Sequence, residues 1–205
     1  MNLPNKLSVL RLIMVPIFMV VMLLPVFTSF SATVDMILTI AGAVLFIAAA
    51  FTDMLDGKIA RKYNLVTDFG KFLDPLADKF MVIGAMLVLL YKYEYIRPVF
   101  FWAVLIVIFR ELAVTSMRLI ASGSGVVVPA NMLGKIKTVT QIVCICTVII
   151  EPMLIELGVL LFGSTFFLAG LLPLTYTSIA VSAFFTLWSG ISYIASMWKY
   201  ISTDK

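Results

Sequence analysis

Six apolar runs, near 9–30, 33–53, 72–91, 98–119, 137–157 and 176–198, follow one another along the chain with short polar stretches between them. Crossing the hydrocarbon of a bilayer as helix takes about 20 such residues. The pattern therefore predicts an all-α integral membrane protein of six transmembrane helices. A further apolar stretch, Leu157 to Leu174, is interrupted by Gly158, Gly163, Gly170 and Pro173. Those breakers favour a re-entrant or interfacial connection, with a seventh span as the alternative. At the amino terminus, MNLPNKLSVLR mixes Leu3 and Leu7 with Asn5, Lys6 and Arg11. That mixture predicts a short amphipathic juxtamembrane helix on the membrane surface.

Composition agrees with the pattern: 62% of the 205 residues are hydrophobic, 13% are charged and there is no histidine, which excludes an ordinary soluble domain. Positive charge is distributed asymmetrically. With six spans and both termini in the cytoplasm, most Lys and Arg residues fall on or near the cytoplasmic side, and only Lys92 and Arg97 fall clearly outside. A seventh span would move Lys199 and Lys205 across the membrane. The net charge of +4 thus reads as topology and attraction to anionic lipid, and no basic run points to nucleic acid. No repeat or linker divides residues 1–205, which read as one transmembrane catalytic domain. Cys144 and Cys146 lie in an apolar run and read as reduced packing residues. Phe100, Phe101 and Trp102 read as lipid-facing or packing surface, and Glu151 and Glu156 as solvated charges near the outer surface.

One stretch breaks the apolar pattern with chemistry, FTDMLDGKIARKYNLVTDFGKFLDPLADKF at residues 51–80. Asp53 and Asp56 are three apart, about 60° round a helix, and Asp74 and Asp78 four apart, closer still to one face. Thr67 or Asp68 is placed to cap the second helix. If both faces point inward, the hairpin collects four carboxylates whose mutual repulsion calls for cations. Oxygen-only ligands suit hard divalent ions, Mg²⁺ or Mn²⁺, and four aspartates can hold two ions by bridging. The bland alternative is a set of interfacial charges paired with Lys58, Arg61, Lys71 and Lys79. Gly57, Ala60 and Gly70 would let a ligand approach the backbone beside the metals, or let helices pack closely.

Written as D-x2-D-G-x2-A-R-x8-G-x3-D-x3-D, the stretch resembles the signature of the CDP-alcohol phosphatidyltransferases and matches it at every fixed position. The flanks NLPNKLSVLR, DPLADK, RELAVTSMR and GKIKT look like bacterial members that form phosphatidylglycerophosphate. The resemblance spans residues 2 to about 141; beyond that, only hydrophobicity is shared. It implies a homodimer of six-span protomers in the cell membrane, with a cavity open to the cytoplasm. It also implies Asp53, Asp56 and Asp74 as metal ligands, and Asp78 as ligand and general base. Gly57, Ala60 and Arg61, with Gly70, would line the site for CDP-diacylglycerol. Asn5 and Ser8 would add donor contacts; the family's threonine is replaced here by Ser8, which keeps the hydroxyl.

An acceptor such as glycerol 3-phosphate needs a second anion site. Charges within spans are costly and therefore suspect as functional. Arg110 and Arg118 lie eight residues apart, about 80° round one helix, and Lys135 and Lys137 open the next. Arginine suits bidentate phosphate binding and lysine adds charge. The alternatives are positive-inside anchors for Arg118, Lys135 and Lys137, and a structural ion pair for Arg110 with Glu111. The resemblance favours Arg110 and Arg118 as phosphate ligands with Glu111 orienting them. Three functions follow: phosphatidyl transfer from CDP-diacylglycerol to glycerol 3-phosphate; the same transfer to inositol phosphate or, as in a cardiolipin synthase, to phosphatidylglycerol; or a divalent-cation transporter or sensor.

Overall fold

The structure is a computed structural model, and it describes residues 2–63, 68–123, 132–162 and 172–201. Six long helices follow in order: α1 (Leu3–Phe27), α2 (Ala32–Tyr63), α3 (Asp68–Lys92), α4 (Arg97–Gly123), α5 (Met132–Phe162) and α6 (Pro173–Ile201). A single 3₁₀ turn, Glu94–Ile96, joins α3 to α4, and no strand occurs among the described residues. Among the described residues, five helices are long and apolar enough to cross a membrane. The sixth, α3, has 25 residues, a rise of about 37 Å at 1.5 Å per residue. Its first half carries Asp74, Asp78 and Lys79, and its second half buries Met81, Met86 and Leu89 completely. The chain is an all-helical integral membrane protein.

Two features differ from the sequence pattern. The amino-terminal stretch is not a separate surface helix but the first turns of α1, which runs unbroken to Phe27. Pro4 falls in the first turn, where its missing N–H costs nothing. Asn5, Ser8 and Arg11 stack at i, i+3 and i+6 and are buried in the protein. Further along, Gly158 does not end α5, which continues to Phe162 with Gly158 buried within it. Only residues 163–172 separate α5 from α6, too few for a seventh span. Thr67 lies outside the described residues, and α3 begins at Asp68.

Helix α1 packs on both α2 and α3, while α2 and α3 meet each other only slightly among the described residues. In parallel fashion α6 packs on α5 and α4. The two triplets join through α3 against α4 and α5, and through α2 against α5. At the centre lie Phe18 and Met22 of α1, Phe46 of α2, Met81, Met86 and Leu89 of α3, Phe100 of α4, and Ile145 and Ile149 of α5. Phe18 and Phe46 contact with ring centroids 5.6 Å apart. Phe100 is thus core, whereas Phe101 and Trp102 are exposed on the outer surface of the bundle. Cys144 is buried in the core as a free thiol.

Lipid tails are as apolar as leucine, so burial alone does not hold transmembrane helices together; close packing and interhelical hydrogen bonds do. At Gly42 an added Cβ would stand 2.3 Å from Met22 Sδ, so α1 packs tightly against α2 there. Between α5 and α6, Gln141 Nε2 donates to Thr186 Oγ1 at 3.1 Å, and the Thr147 and Ser178 hydroxyls lie 2.6 Å apart.

At the same seam Glu151, expected to be solvated, is buried. Its two carboxylate oxygens accept the backbone N–H groups of Leu174 and Thr175 at 2.9 and 2.5 Å. Those are first-turn donors of α6 with no partner inside their own helix, and a carboxylate there also meets the positive end of the helix dipole. Glu156 is exposed, as expected. At the end of the bundle remote from the aspartates, Lys92 Nζ joins Asp35 at 2.8 Å and Thr39 at 3.0 Å. There Arg97 caps the carbonyls of Leu90 and Tyr91.

Candidate active site

The carboxylates enter from α2 and α3, and α1 lies between them. Arg11 of α1, its side chain fully buried, places Nη1 2.6 Å from Asp53 Oδ1. One turn earlier on the same face, Ser8 Oγ donates to Asp74 Oδ1 at 2.5 Å. The two aspartates are therefore bridged by the Ser8–Arg11 face of α1. Asp78 follows Asp74 by one turn of α3 and sits deeper; its Oδ1 is buried and has no hydrogen-bond partner among the described residues. Asp53, Lys137, Glu111 and Arg11 are the charges close enough to act on it. The side chains of Asp56, Gly57, Ala60, Arg61 and Asp68 lie outside the described residues. Gly70 is buried one turn before Asp74, and Asn5 is buried one turn before Ser8.

Asp78 opens on a small cavity of about 10 Å³, roughly the room of one water molecule, lined also by Lys79, Val82, Ile83, Glu111, Lys137 and Gln141. Its basic wall is organised around Glu111. One carboxylate oxygen, Oε1, accepts from Arg110 Nη1 at 2.9 Å and from Lys137 Nζ. A single buried carboxylate thus holds two cations, the buried Lys137 and the partly buried Arg110, with a net positive charge left over. Lys79 donates to the Thr115 hydroxyl, which itself donates to the Glu111 carbonyl at 2.6 Å.

The four predicted basic residues separate into distinct environments. Lys137 lines the cavity; Arg110 stands behind Glu111, with Nη2 donating to Ser189 Oγ of α6 at 2.9 Å. Arg118 is exposed further along the same α4–α6 seam. Its Nε donates to the Tyr193 hydroxyl at 3.0 Å, and its guanidinium lies 5.4 Å from the Tyr193 ring centroid. Lys135 is exposed and outside the cavity lining.

The sequence reading missed the contribution of α6. Thr175, Ile179, Ser182, Thr186, Ser189, Tyr193 and Met197 are all buried and recur every three or four residues, one stripe of the helix. Five of the seven are polar, and that spacing in an otherwise apolar span was a visible signal of a face turned toward other helices. Arg11 and Lys79 were equally legible as polar groups inside spans, but the partners Asp53 and Thr115 lie 42 and 36 residues away in the chain and no local spacing reveals them.

The donor set fits a hard divalent cation: every candidate ligand atom is a carboxylate oxygen, and Asp78 Oδ1 has no competing partner among the described residues. No group of three such side chains converges among the described residues, whose carboxylate pair Asp53 and Asp74 is engaged by Arg11 and Ser8.

Comparison with known proteins bears on the same residues. The family model described as CDP-alcohol phosphatidyltransferase matches residues 1–188. The CDP-diacylglycerol--glycerol-3-phosphate 3-phosphatidyltransferase of Bacillus subtilis is 42% identical over 206 residues, covering 99% of this chain and 98% of that protein. Proteins of the same name from Rickettsia felis and Pseudomonas fluorescens are 33% and 31% identical, covering 97% and 100% of this chain and 97% and 94% of their own lengths. The likeness runs through α6, well past the point where the motifs stop. An aspartate signature matched at every position, a helical membrane fold and relatives aligned almost end to end leave no room for the ion-transporter reading: the chain belongs to the CDP-alcohol phosphatidyltransferase family and is an enzyme of that kind.

Proposed function

We propose that this chain transfers the phosphatidyl group of CDP-diacylglycerol to glycerol 3-phosphate, giving phosphatidylglycerophosphate and CMP. The observation that carries the reading is the shared cavity, which sets Asp78, whose Oδ1 has no partner among the described residues, against Lys137 and the Glu111-centred basic wall. A general base thus faces positive charge suited to a phosphorylated, water-soluble acceptor. The names of the relatives point to the same donor and acceptor.

In this reading the diacylglycerol tails stay in the bilayer while the head group enters between the triplets. Asn5, Ser8, Gly57, Ala60, Arg61 and Gly70 accommodate the cytidine and pyrophosphate. Asp53, Asp56, Asp74 and Asp78 would hold two divalent cations, Mg²⁺ or Mn²⁺, which supply charge neutralisation at the pyrophosphate. Arg110, Arg118, Lys135 and Lys137 hold the acceptor phosphate, with Lys137 nearest the cavity and Arg110 fixed by Glu111. Asp78 takes the proton of the acceptor hydroxyl. The oxygen attacks the phosphorus that bears diacylglycerol, the bond from that phosphorus to the bridging oxygen breaks, and CMP leaves. The positive-inside pattern orients the site toward the cytoplasm of a bacterial cell, and the enzyme works as a homodimer.

The test is CMP release by detergent-purified protein with CDP-diacylglycerol and Mg²⁺ or Mn²⁺, comparing glycerol 3-phosphate with inositol phosphate. Turnover with glycerol 3-phosphate alone, lowered at least about a hundredfold in Asp78→Asn as expected for loss of a general base, is the expected result. Preference for inositol phosphate, or full activity in Asp78→Asn, would overturn it.

A further inference from the structure

The geometry points to Ser189 and Gly190 of α6 as the seat of Arg110, and so as positioning residues that set affinity for the acceptor phosphate. This inference rests on the proposed role of Arg110. Three independent features converge on that side chain. Ser189 Oγ, 3% exposed as a residue, accepts from Arg110 Nη2 at 2.9 Å. Gly190, buried beside it, leaves the space through which the arginine stem passes: a Cβ there would lie 3.1 Å from Arg110 Cγ and 3.9 Å from its Cβ. On the other side Gly134 of α5 faces the guanidinium, with its would-be Cβ 3.9 Å from Nη2.

Glycine in a helix interior is less favourable than alanine. Its presence at 190, in the middle of α6, is accounted for by the arginine it admits. Glu111 of α4 holds Nη1 and Ser189 of α6 holds Nη2, and the two bonds together fix the plane of the guanidinium. Nε remains as a buried donor with no partner among the described residues. A long side chain with several rotatable bonds loses much of its freedom on binding an anion. Fixing it beforehand removes that cost, so α6 contributes to acceptor affinity without touching the aspartates.

The experiment is steady-state CMP release with glycerol 3-phosphate and CDP-diacylglycerol varied separately, in wild type, Ser189→Ala, Ser189→Thr and Gly190→Ala. We expect Ser189→Ala to raise KM for glycerol 3-phosphate about tenfold, the order expected for a hydrogen bond to a charged group. KM for CDP-diacylglycerol should stay within about twofold. Ser189→Thr should recover most of the loss, and Gly190→Ala should raise the same KM several-fold by displacing the arginine stem. In an Arg110→Lys background Ser189→Ala should add less than about twofold, because the hydroxyl acts through the guanidinium. If Ser189→Ala does not purify as folded protein, Gly190→Ala, which gains helix propensity, carries the test. Unchanged KM for glycerol 3-phosphate in these variants, equal loss for both substrates, or full additivity with Arg110→Lys would overturn the inference. A wild type inactive with glycerol 3-phosphate would instead overturn the functional reading beneath it.

Discussion

Glu111 and Glu151 show how much a buried carboxylate in a membrane protein depends on its partners. Glu111 serves two cations with one oxygen atom, so Glu111→Gln leaves Arg110 and Lys137 facing each other in a buried seam. Removing one partner from a buried ionic cluster typically costs about 3–5 kcal/mol. We expect a clear drop in the thermal unfolding midpoint in detergent, accompanied by loss of CMP release. Glu151 lies far along α5 from the cavity and caps α6 instead. Glu151→Ala should cost about 1–2 kcal/mol, the usual worth of a helix cap, and lower the unfolding midpoint while KM for either substrate stays put. At Ser8 the hydroxyl is what Asp74 receives. Ser8→Thr should therefore keep activity within about threefold, whereas Ser8→Ala should lose about tenfold, as for other hydrogen bonds to charged groups; initial rates of CMP release distinguish the two.

Among the elements, α1 is the least expected. Its sequence reads as a span preceded by a surface segment, yet its first turns supply the groups that bridge α2 and α3. The closeness of α1 and α2 depends on Gly42, against which Met22 is packed. Gly42→Ala forces Met22 aside and should destabilise the protein by about 1–3 kcal/mol, as overpacking does. Combining it with Met22→Ala relieves the clash, so the double variant should unfold at a higher temperature than the two single costs added together would give. Additive costs would mean that the two helices do not meet there. The polar stripe of α6 works in the same way between α4 and α5: Thr186 and Ser178 stitch it to α5, and Ser189 and Tyr193 turn to the arginines of α4.

In the whole molecule, the two three-helix groups face each other across the cavity: α1–α3 bring Asp53, Asp74 and Asp78 with Arg11 and Lys79, and α4–α6 bring Glu111 with Arg110 and Lys137. Lys92, Asp35 and Arg97 close the end opposite the aspartates. That polarity fits the positive-inside reading. In a variant lacking Cys144 and Cys146, single cysteines placed at Lys6 and Lys205 should be labelled by a membrane-impermeant maleimide only from the cytoplasmic side. One placed at Glu94, in the connection between α3 and α4, should be labelled only from outside. Labelling of Lys6 and Lys205 from opposite sides would contradict an even number of spans.

By itself the sequence determined the spans and the chemistry. Apolar length fixes crossing because lipid offers no partner for exposed backbone, and the spacing of the aspartates, three and four residues, sets each pair toward one face of its own helix. The tertiary structure decided which helix stands between which. Arg11 meets Asp53 42 residues later, Lys137 meets Glu111 26 residues earlier, and Ser189 meets Arg110 across 79 residues. Such pairings follow from the packing of whole helices, where small shape differences and single glycines choose among neighbours that are chemically alike. Glu151 reads as an outer-surface charge in the sequence and becomes a cap only because α6 begins beside it. What a residue is can be read along the chain, but what it touches is settled when the helices assemble.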